Sequence, residues 1–506
     1  MSILHYKTTK PNEPALIIEP GARNKTFADL ECRSRCLSGF FQQSGLLRGD
    51  HIAVLMQNNQ YYHEVCWAAQ RAGLYYTPVN WHLTPSEAGY MIKDCGAKAL
   101  IYSSDLAKMA ASIKDLNSSL SICLQAGGNE YSGIMASTEF TRPDDRLSGA
   151  YMFYSSGTTG RPKGIKRQLP DTVFGTPDKH IERLRDQYGF DENTVYLNPA
   201  PLYHAAPLGW TLSAQALGGL TVIMKTFDAV ELLMLIEKYK VTHVQCVPTM
   251  FVRLLKLTEE ERSRYDLSSL KVIIHAAAPC PIDTKKEMIK WFGPILKEYY
   301  AGSEGNGFVA IDSHEWLSKI GSVGRPKNCT ITITDENGVE LEPGEIGHIY
   351  FSGGAHFNYH NDDDKTKGAY DAKGRSTLGD LGYLDTDGYL FLCGRRGDMI
   401  NVGGVNVYPR EIEDVLITHP SILDIAIIGE PCSEFGETLL AVIQPVNKAI
   451  NEVKFLEMIR QYCQEKLAKY KIPRSIIFVE TFPRMPTGKI KVDALRRILN
   501  QPRKGQ

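Results

Sequence analysis

The chain has 506 residues, which is enough for about three domains or for one large and one small domain. Its 57 Lys and Arg residues balance 58 Asp and Glu residues, and the formal net charge of −1 lacks the basic signature of nucleic-acid binding. Hydrophobic residues make up 43% and charged residues 23%, a composition that excludes long disorder, collagen and an extended coiled coil.

The cysteines and the apolar runs indicate the cellular compartment of the protein. Eleven cysteines are scattered without a CxxC pair, which predicts reduced thiols rather than a disulfide framework. No run of about 18 apolar residues predicts a transmembrane segment, and the N-terminus lacks the apolar stretch of a signal peptide. We therefore expect a cytoplasmic protein; peripheral membrane contact and a homodimer stay open.

The first 320 residues alternate short apolar runs with helical patterns, which predicts doubly wound α/β layers. Strands are predicted at residues 52–56, 75–79, 99–102, 220–224, 244–247 and 272–275, and a helix at 63–73. From about residue 321, runs at 330–334, 347–351 and 389–392 are separated by Asp/Gly turns and predict an antiparallel β subdomain.

The character of the sequence changes again after Arg396. Helices are predicted at 409–416 and 453–467, with strands at 422–428, 439–443 and 475–479. This pattern predicts a large N-terminal domain over residues 1–395 and a small α+β domain over residues 396–506, with a hinge at 395–398.

The segment 154–164 concentrates residue types that bind phosphate, directly after a strand predicted at 150–153. Glycines let backbone N–H groups approach an anion, hydroxyls donate further hydrogen bonds, and a lysine adds positive charge. The lysine follows Gly160 by three positions, whereas in a Walker loop it follows the glycine directly, so the segment is not a Walker loop; a flexible Gly/Ser loop is the alternative. The predicted phosphate-binding residues are Ser155, Ser156, Gly157, Thr158, Thr159, Gly160 and Lys163.

This segment resembles the signature loop of the adenylate-forming superfamily, which comprises acyl- and aryl-CoA synthetases, peptide-synthetase adenylation domains and luciferases. Segments similar to further family motifs follow in the family's order from about residue 26 to about residue 497. The resemblance implies an α/β fold with a large N-terminal domain and a small, mobile C-terminal domain. It also implies ATP, Mg²⁺ and CoA as cofactors and co-substrate.

The segment from Tyr299 to Glu304 is similar to the family's aromatic–Gly–x–Thr–Glu motif. The resemblance implies that Tyr300 stacks on adenine, Ser303 contacts phosphate and Glu304 binds Mg²⁺, a cation that prefers carboxylate and phosphate oxygens. Ala301 and Ser303 stand where the family has Gly and Thr. The ATP-binding residues implied here are Tyr299, Tyr300, Ala301, Gly302 and Ser303.

Three charged residues further along match family motifs. The resemblance implies that Asp380 accepts hydrogen bonds from the ribose hydroxyls, that Arg395 contacts ribose and phosphate, and that Lys489 enters the site for adenylation alone. A turn aspartate, a surface cation and an exposed lysine are the structural alternatives. The catalytic residues implied are Lys489, Thr159 and Glu304.

Two further groups of residues are implied for the acid and for CoA. Gly403 and Gly404 resemble the loop that lines the pantetheine tunnel, and Gly397 stands where the family hinge has Asp or Lys. His204 matches a segment beside the acyl pocket, although a core histidine is the alternative. The implied acyl pocket comprises His204, Trp210, Met250, Ala276, Ala277 and Ala278, of which the large residues suit a core equally well.

The resemblance to the fatty-acid branch implies an AMP-forming acyl-CoA synthetase acting on a medium- or long-chain, aryl or bulky cyclic acid. The acid becomes acyl-AMP with release of pyrophosphate, and the CoA thiol then takes the acyl group. One alternative is an adenylating enzyme with a carrier-protein thiol or an amine as acceptor. Another is a catalytically silent binding protein, but Lys163, Glu304, Asp380, Arg395 and Lys489 are all present.

Overall fold

The structure is a computed structural model. It describes residues 6, 8–21, 23–137, 147–155, 162–395, 399–402, 405–432, 436–446, 452–464, 466–483, 490 and 495. Of the predicted hinge at 395–398, residues 396–398 lie outside the described residues.

The first layer is a sheet of five parallel strands in the order β6-β5-β3-β4-β7. Its strands are β3 (His51–Leu55), β4 (Tyr75–Pro78), β5 (Ala97–Tyr102), β6 (Ile122–Gln125) and β7 (Ala150–Tyr151). The helices between and before these strands are α1 (Phe27–Gln43), α2 (Tyr62–Arg71), α3 (Pro85–Asp94), α4 (Ala107–Leu116), which follows a short 3₁₀ turn, and α5 (Asn129–Ala136).

The second layer is a nine-stranded sheet in the order β16-β15-β14-β13-β12-β10-β11-β1-β2, whose strands from β14 to β1 are all parallel. The strands are β1 (Pro14–Glu19), β2 (Arg23–Thr26), β10 (Val195–Asn198), β11 (Leu220–Met224), β12 (His243–Cys246), β13 (Val272–His275), β14 (Leu296–Tyr300), β15 (Val309–Asp312) and β16 (Arg325–Pro326). Its helices are α6 (Lys179–Tyr188), α7 (Ala205–Ala216), α8 (Ala229–Tyr239), α9 (Pro248–Leu255), α10 (Glu259–Ser263), α11 (Ile282–Phe292) and α12 (Ser313–Ser318).

Local sequence explains why these elements begin where they do. Helices α1, α3, α10 and α12 each open on a capping box, in which a Thr or Asp side chain and an acidic residue three positions on satisfy each other's backbone N–H groups. Strands β3, β4, β12 and β13 are buried along their whole length, as parallel strands covered on both faces must be.

A small antiparallel sheet joins the phosphate-loop motif to a distant segment. Its order is β19-β9-β8, with β8 (Phe153–Ser155), β9 (Lys163–Lys166) and β19 (Asn358–Tyr359). The single strand predicted at 150–153 is therefore wrong in detail. The backbone leaves the parallel sheet at Tyr151 and joins this second sheet at Phe153, because β8 pairs antiparallel with β9 instead of continuing beside β4.

The β subdomain is a four-stranded antiparallel sheet in the order β17-β18-β20-β21. Its strands are β17 (Thr330–Thr334), β18 (Gly347–Ser352), β20 (Ser376–Leu384) and β21 (Leu390–Arg395), with helix α13 (Asp363–Gly368) between β19 and β20. Its own apolar core includes Ile333, Ile349, Phe351 and Leu390.

The C-terminal region forms a five-stranded sheet in which β23-β22-β25-β24 pair in that order and β26 joins β25 in parallel. The elements are β22 (Ile400–Val402), β23 (Val405–Val407), α14 (Pro409–Leu416), β24 (Ile422–Cys432), β25 (Gly436–Pro445), α15 (Glu452–Gln464), a 3₁₀ turn and β26 (Ser475–Phe478). The predicted fold class, doubly wound α/β layers with a β subdomain and a smaller α+β domain, is confirmed. Within the described residues no helix is long and apolar enough to cross a membrane.

Candidate active site

The predicted site segments follow the carboxyl ends of neighbouring parallel strands in the nine-stranded sheet. His204 comes after β10, Met250 after β12, and Ala276 directly after β13, while Tyr300 ends β14. Because the carboxyl ends of parallel strands meet at one edge, these segments converge there. That edge is where open α/β sheets bind ligands.

Tyr300, Asp380 and Arg395 form one hydrogen-bonded group at this edge. The Tyr300 hydroxyl donates to Asp380 Oδ2 at 2.6 Å, and Arg395 Nε donates to Asp380 Oδ1 at 3.1 Å. Asp380 and Arg395 are cross-strand partners on β20 and β21. Burial, reinforced by the Asp380 charge, raises the pKa of Tyr300 well above its usual value, so the phenol stays a donor. The carboxylate is therefore held in one orientation, with further lone pairs able to accept from a ribose.

Glu304 lies beside Tyr359 and Lys163. The Tyr359 hydroxyl donates to Glu304 Oε1 at 3.0 Å, and the Lys163 ammonium lies 5.4 Å from the centre of the Tyr359 ring. Burial and the neighbouring Lys365 lower the pKa of Lys163, against the attraction of Asp362 and Glu304. A buried carboxylate and a lysine thus flank the same phenol, an arrangement that suits a metal-bound polyphosphate.

The donor set fits one hard cation that shares its coordination with a nucleotide. Glu304 is only 9% exposed, and a side chain at Gly302 would put a Cβ 2.7 Å from its second oxygen, so the glycine keeps that oxygen accessible. Within the described residues no group of three His, Cys, Asp or Glu side chains could hold a metal alone. Mg²⁺ bound through one carboxylate, with phosphates and water as its other ligands, matches this arrangement.

Ser303 is held by an arginine that the sequence did not single out. Arg167 donates from Nη2 to the Ser303 carbonyl at 2.7 Å and from Nη1 to the Tyr151 hydroxyl at 3.1 Å. Gly305 has φ +72°, and a Cβ there would lie 2.3 Å from Arg167 Nη2. The turn that carries Ser303 and Glu304 therefore depends on an arginine just beyond strand β9.

Asp94, at the end of helix α3, joins two parts of the site. Its Oδ2 accepts from the Tyr154 hydroxyl at 2.5 Å, and its Oδ1 accepts from Asn361 Nδ2 at 3.3 Å. The carbonyl of Asp94 also lies 3.0 Å from the His360 ring nitrogen. Tyr154 is the first residue of the phosphate-loop motif and the other two residues follow Tyr359, so Asp94 connects strand β8 to the segment of the tyrosine that contacts Glu304.

We expect Asp94→Ala to lower kcat/KM for ATP about tenfold, because a charge-assisted hydrogen bond of roughly 1.5–3 kcal/mol no longer positions Tyr154. Asp94→Asn, which still accepts a hydrogen bond, should recover most of the loss. Steady-state kinetics at varied ATP would measure both, with the exposed Asp115→Ala on helix α4 as the matched control. Equal kinetics for Asp94→Ala and the control would contradict this positioning role.

The residues predicted for the acyl pocket lie in unlike environments. Trp210 is 2% exposed, stacks on Tyr299 at 5.6 Å between ring centres and meets the Tyr188 ring at 4.9 Å, so it belongs to an aromatic core. Met250 and Ala276 are also buried. Ala277 has φ +72°, a left-handed conformation that is rare outside glycine, asparagine and aspartate. Their contact with an acyl group stays a prediction.

Several predicted residues lie outside the described residues. The phosphate loop is described only at its two ends, where Ser155 pairs with Lys163 across the antiparallel strands β8 and β9. Ala301 and Gly302 lie in the short turn after β14. The predicted residues that fall outside are Ser156, Gly157, Thr158, Thr159, Gly160, Gly403, Gly404 and Lys489.

The fold and the site define an enzyme that activates a substrate with a nucleotide, built as a large α/β domain, a β subdomain and a smaller α+β domain. The profile of the family described as AMP-binding enzyme matches residues 5–358, and that of the AMP-binding enzyme C-terminal domain matches residues 411–489. The chain belongs to this family of adenylate-forming enzymes.

Relatives cover nearly the whole chain. A long-chain-fatty-acid–CoA ligase of Mycobacterium tuberculosis is 28% identical over 98% of this chain and 97% of its own length. A feruloyl-CoA synthase of Amycolatopsis is 30% identical over 96% of each chain. The solved structure of the o-succinylbenzoate CoA synthetase of Bacillus subtilis, in complex with an acyl-adenylate, aligns with a TM-score of 0.82 at 26% identity, covering 100% of this chain and 98% of that one.

Proposed function

We propose that this chain is an ATP-dependent acyl-CoA synthetase that activates a hydrophobic carboxylic acid, medium- or long-chain, aryl or bulky cyclic. The observation that carries the proposal is that two groups of polar side chains lie at the same edge of the sheet. Tyr300, Asp380 and Arg395 offer a nucleoside site, and Glu304 and Lys163 offer a metal and phosphate site directly beside it. The named relatives act on fatty and aryl acids, which supports an apolar acid.

The first half-reaction follows from these positions. The substrate carboxylate attacks the α-phosphorus of ATP, the bond to the β-phosphate breaks, and pyrophosphate leaves. Lys163, the hydroxyls of Thr158 and Thr159, and Lys489 bind the phosphates as negative charge develops. Mg²⁺, held through Glu304, neutralises phosphate charge when bound. Asp380 and Arg395 hold the ribose in place.

The second half-reaction transfers the acyl group to a thiol. The small domain rotates about the hinge at 395–398, which withdraws Lys489 and brings Gly403 and Gly404 toward the acyl-adenylate. The CoA thiolate attacks the acyl carbon, and AMP leaves with the electrons of the broken C–O bond. A related structure of the Bacillus subtilis synthetase holds ATP and a magnesium ion, which supports these substrates for the first step.

The location and the acceptor complete the proposal. All eleven cysteines are free thiols, which supports a reducing, cytoplasmic compartment. CoA is the acceptor that the named relatives use. A carrier-protein thiol or an amine remains the second candidate. A homodimer and peripheral membrane contact also remain proposals.

We expect pyrophosphate release with ATP and Mg²⁺ to rise strongly for one apolar class within a panel running from acetate through long-chain, aryl and polycyclic acids to amino acids. Sustained release should need CoA, because bound acyl-AMP otherwise blocks turnover. Each acid would be assayed with and without CoA in a coupled pyrophosphate assay. If pyrophosphate release does not depend on CoA, the acceptor is instead a carrier-protein thiol or an amine.

A further inference from the structure

Asn58 is a buried polar residue that connects the two large sheets at their carboxyl edges. It follows strand β3 of the five-stranded sheet and is 6% exposed. Its Nδ2 donates to the carbonyls of Ala200 at 3.0 Å and Met224 at 2.8 Å, and its Oδ1 accepts from the Leu202 N–H at 2.8 Å. Met224 ends strand β11, and the other two partners lie in residues 199–204, which we call the β10–α7 loop.

The sequence of the β10–α7 loop explains why its backbone needs a partner from elsewhere. Pro199 and Pro201 have no backbone N–H, so the segment cannot continue the hydrogen-bond ladder of β10. The remaining backbone groups still have to be paired, because an unpaired buried carbonyl or N–H is unfavourable. Asn58 pairs the carbonyl of Ala200 and the N–H of Leu202 and so holds the backbone on both sides of Pro201.

The held segment leads directly into Tyr203 and His204. Leu202 is fully buried in an apolar core to which both large sheets contribute. The His204 N–H donates to the Pro201 carbonyl at 3.3 Å, which closes the turn before helix α7. The Tyr203 ring lies 4.4 Å from the His204 ring and 6.4 Å from the His82 ring, between ring centres. A shift of the loop would therefore move the histidine that is predicted to lie beside the acyl group.

The residues proposed for the nucleotide do not depend on this clamp. Tyr300, Asp380 and Arg395 form hydrogen bonds with one another. Strands β12 and β13 separate β10 from β14, the strand that ends at Tyr300. The hydrogen bonds of Asn58 instead end on the β10–α7 loop and on β11. Loss of the Asn58 side chain should therefore affect the acid much more than ATP.

We propose that Asn58 is a positioning residue for the acid. Its three hydrogen bonds fix the β10–α7 loop, and the loop places Tyr203 and His204 along the path of the acyl group. A displacement of about 1 Å at a group that positions a substrate can lower the rate by roughly 10²-fold, even when its cause is remote from the reacting atoms. The inference rests on the proposed function and adds a residue on which use of the acid depends.

The first variant is Asn58→Ala, assayed with the apolar acid that gives the highest pyrophosphate release in the panel above. We expect kcat/KM for this acid to fall about tenfold or more. The Kd of ATP with Mg²⁺, measured by calorimetry without acid, should stay within a few-fold of the wild type. The matched control is Asn117→Ala. Asn117 is 3% exposed and donates to the Ile113 carbonyl at 2.9 Å, so its loss should lower thermal stability and leave use of the acid unchanged.

The second variant, Asn58→Asp, separates position from stability by its pH profile. The introduced carboxyl group keeps the acceptor for the Leu202 N–H and, while protonated, one donor. Burial raises the pKa of such a group, so it should be neutral at about pH 6 and ionised at about pH 9. We expect kcat/KM for the acid, relative to the wild type at the same pH, to be near normal at the lower pH and reduced at the higher pH.

The outcomes separate this inference from the reaction itself. Equal losses in Asn58→Ala and Asn117→Ala, or a loss of ATP affinity as large as the loss of kcat/KM for the acid, would overturn the positioning role while the synthetase assignment stands. If Asn58→Ala does not fold, Asn58→Asp decides, and a relative kcat/KM that is the same at both pH values would overturn the role. A wild-type enzyme that releases pyrophosphate with no acid of the panel would overturn the proposed function and this inference with it.

Discussion

Lys489→Ala is expected to lower acyl-adenylate formation by about 10²–10³-fold, the loss typical when one charge-stabilising donor is removed from a reaction site. Thioester formation from supplied acyl-AMP and CoA should stay within a few-fold of the wild type. In the proposed mechanism the lysine compensates charge on the phosphates only while pyrophosphate leaves, and the second half-reaction proceeds after the small domain has moved. Single-turnover assays of each half-reaction would measure the two effects separately.

The control for this variant is Lys469→Ala, which removes an exposed lysine from the same small domain. Both of its half-reactions should match the wild type. If Lys489→Ala instead slows the two half-reactions equally, the lysine does not alternate with the CoA-facing surface. The assignment of Gly403 and Gly404 to the second half-reaction would then lose its basis.

The elements that could be predicted from sequence are strands that are buried on both faces and helices whose first residue is a local start signal. Strands β11 and β13 and helix α14 were predicted to the residue, because an unbroken β-branched run or a Pro start defines each of them alone. The strand predicted at 150–153 failed because local sequence contains no signal for which sheet a strand joins. Met152 is fully buried between the two sheets, so the apolar run continues across the break.

The residues of the site also divide into those that the sequence identifies and those that it does not. The residues that are proposed to contact the nucleotide lie in short motifs, so the sequence alone identified them. The side chains that hold them lie far away along the chain. Asp94 is 60 residues from Tyr154, Tyr359 is 55 residues from Glu304, and Arg167 is 136 residues from Ser303. Each is an ordinary polar residue in its own surroundings, so no local pattern distinguishes it, and tertiary packing alone assigns its role.

Glu304→Gln is expected to lower turnover about 10²-fold at limiting Mg²⁺, with part of the loss recovered at high Mg²⁺. The amide oxygen can still accept the hydrogen bond from the Tyr359 hydroxyl, so the fold of the turn should be kept. What is lost is the negative charge that binds a hard cation, and with it the fixed position of the metal on the phosphates. Initial rates over a Mg²⁺ titration at fixed ATP would measure the change.

Tyr359→Phe provides the complementary variant, because it removes the hydrogen bond and leaves the carboxylate charge. Its ring still contributes the face that lies near Lys163. We therefore expect a reduction of only a few-fold and a Mg²⁺ dependence close to that of the wild type. If Glu304→Gln shows an unchanged rate at limiting Mg²⁺, Glu304 does not bind the metal. Its burial beside Tyr359 would then serve to fix the turn after β14, and the cation would be held by the nucleotide alone.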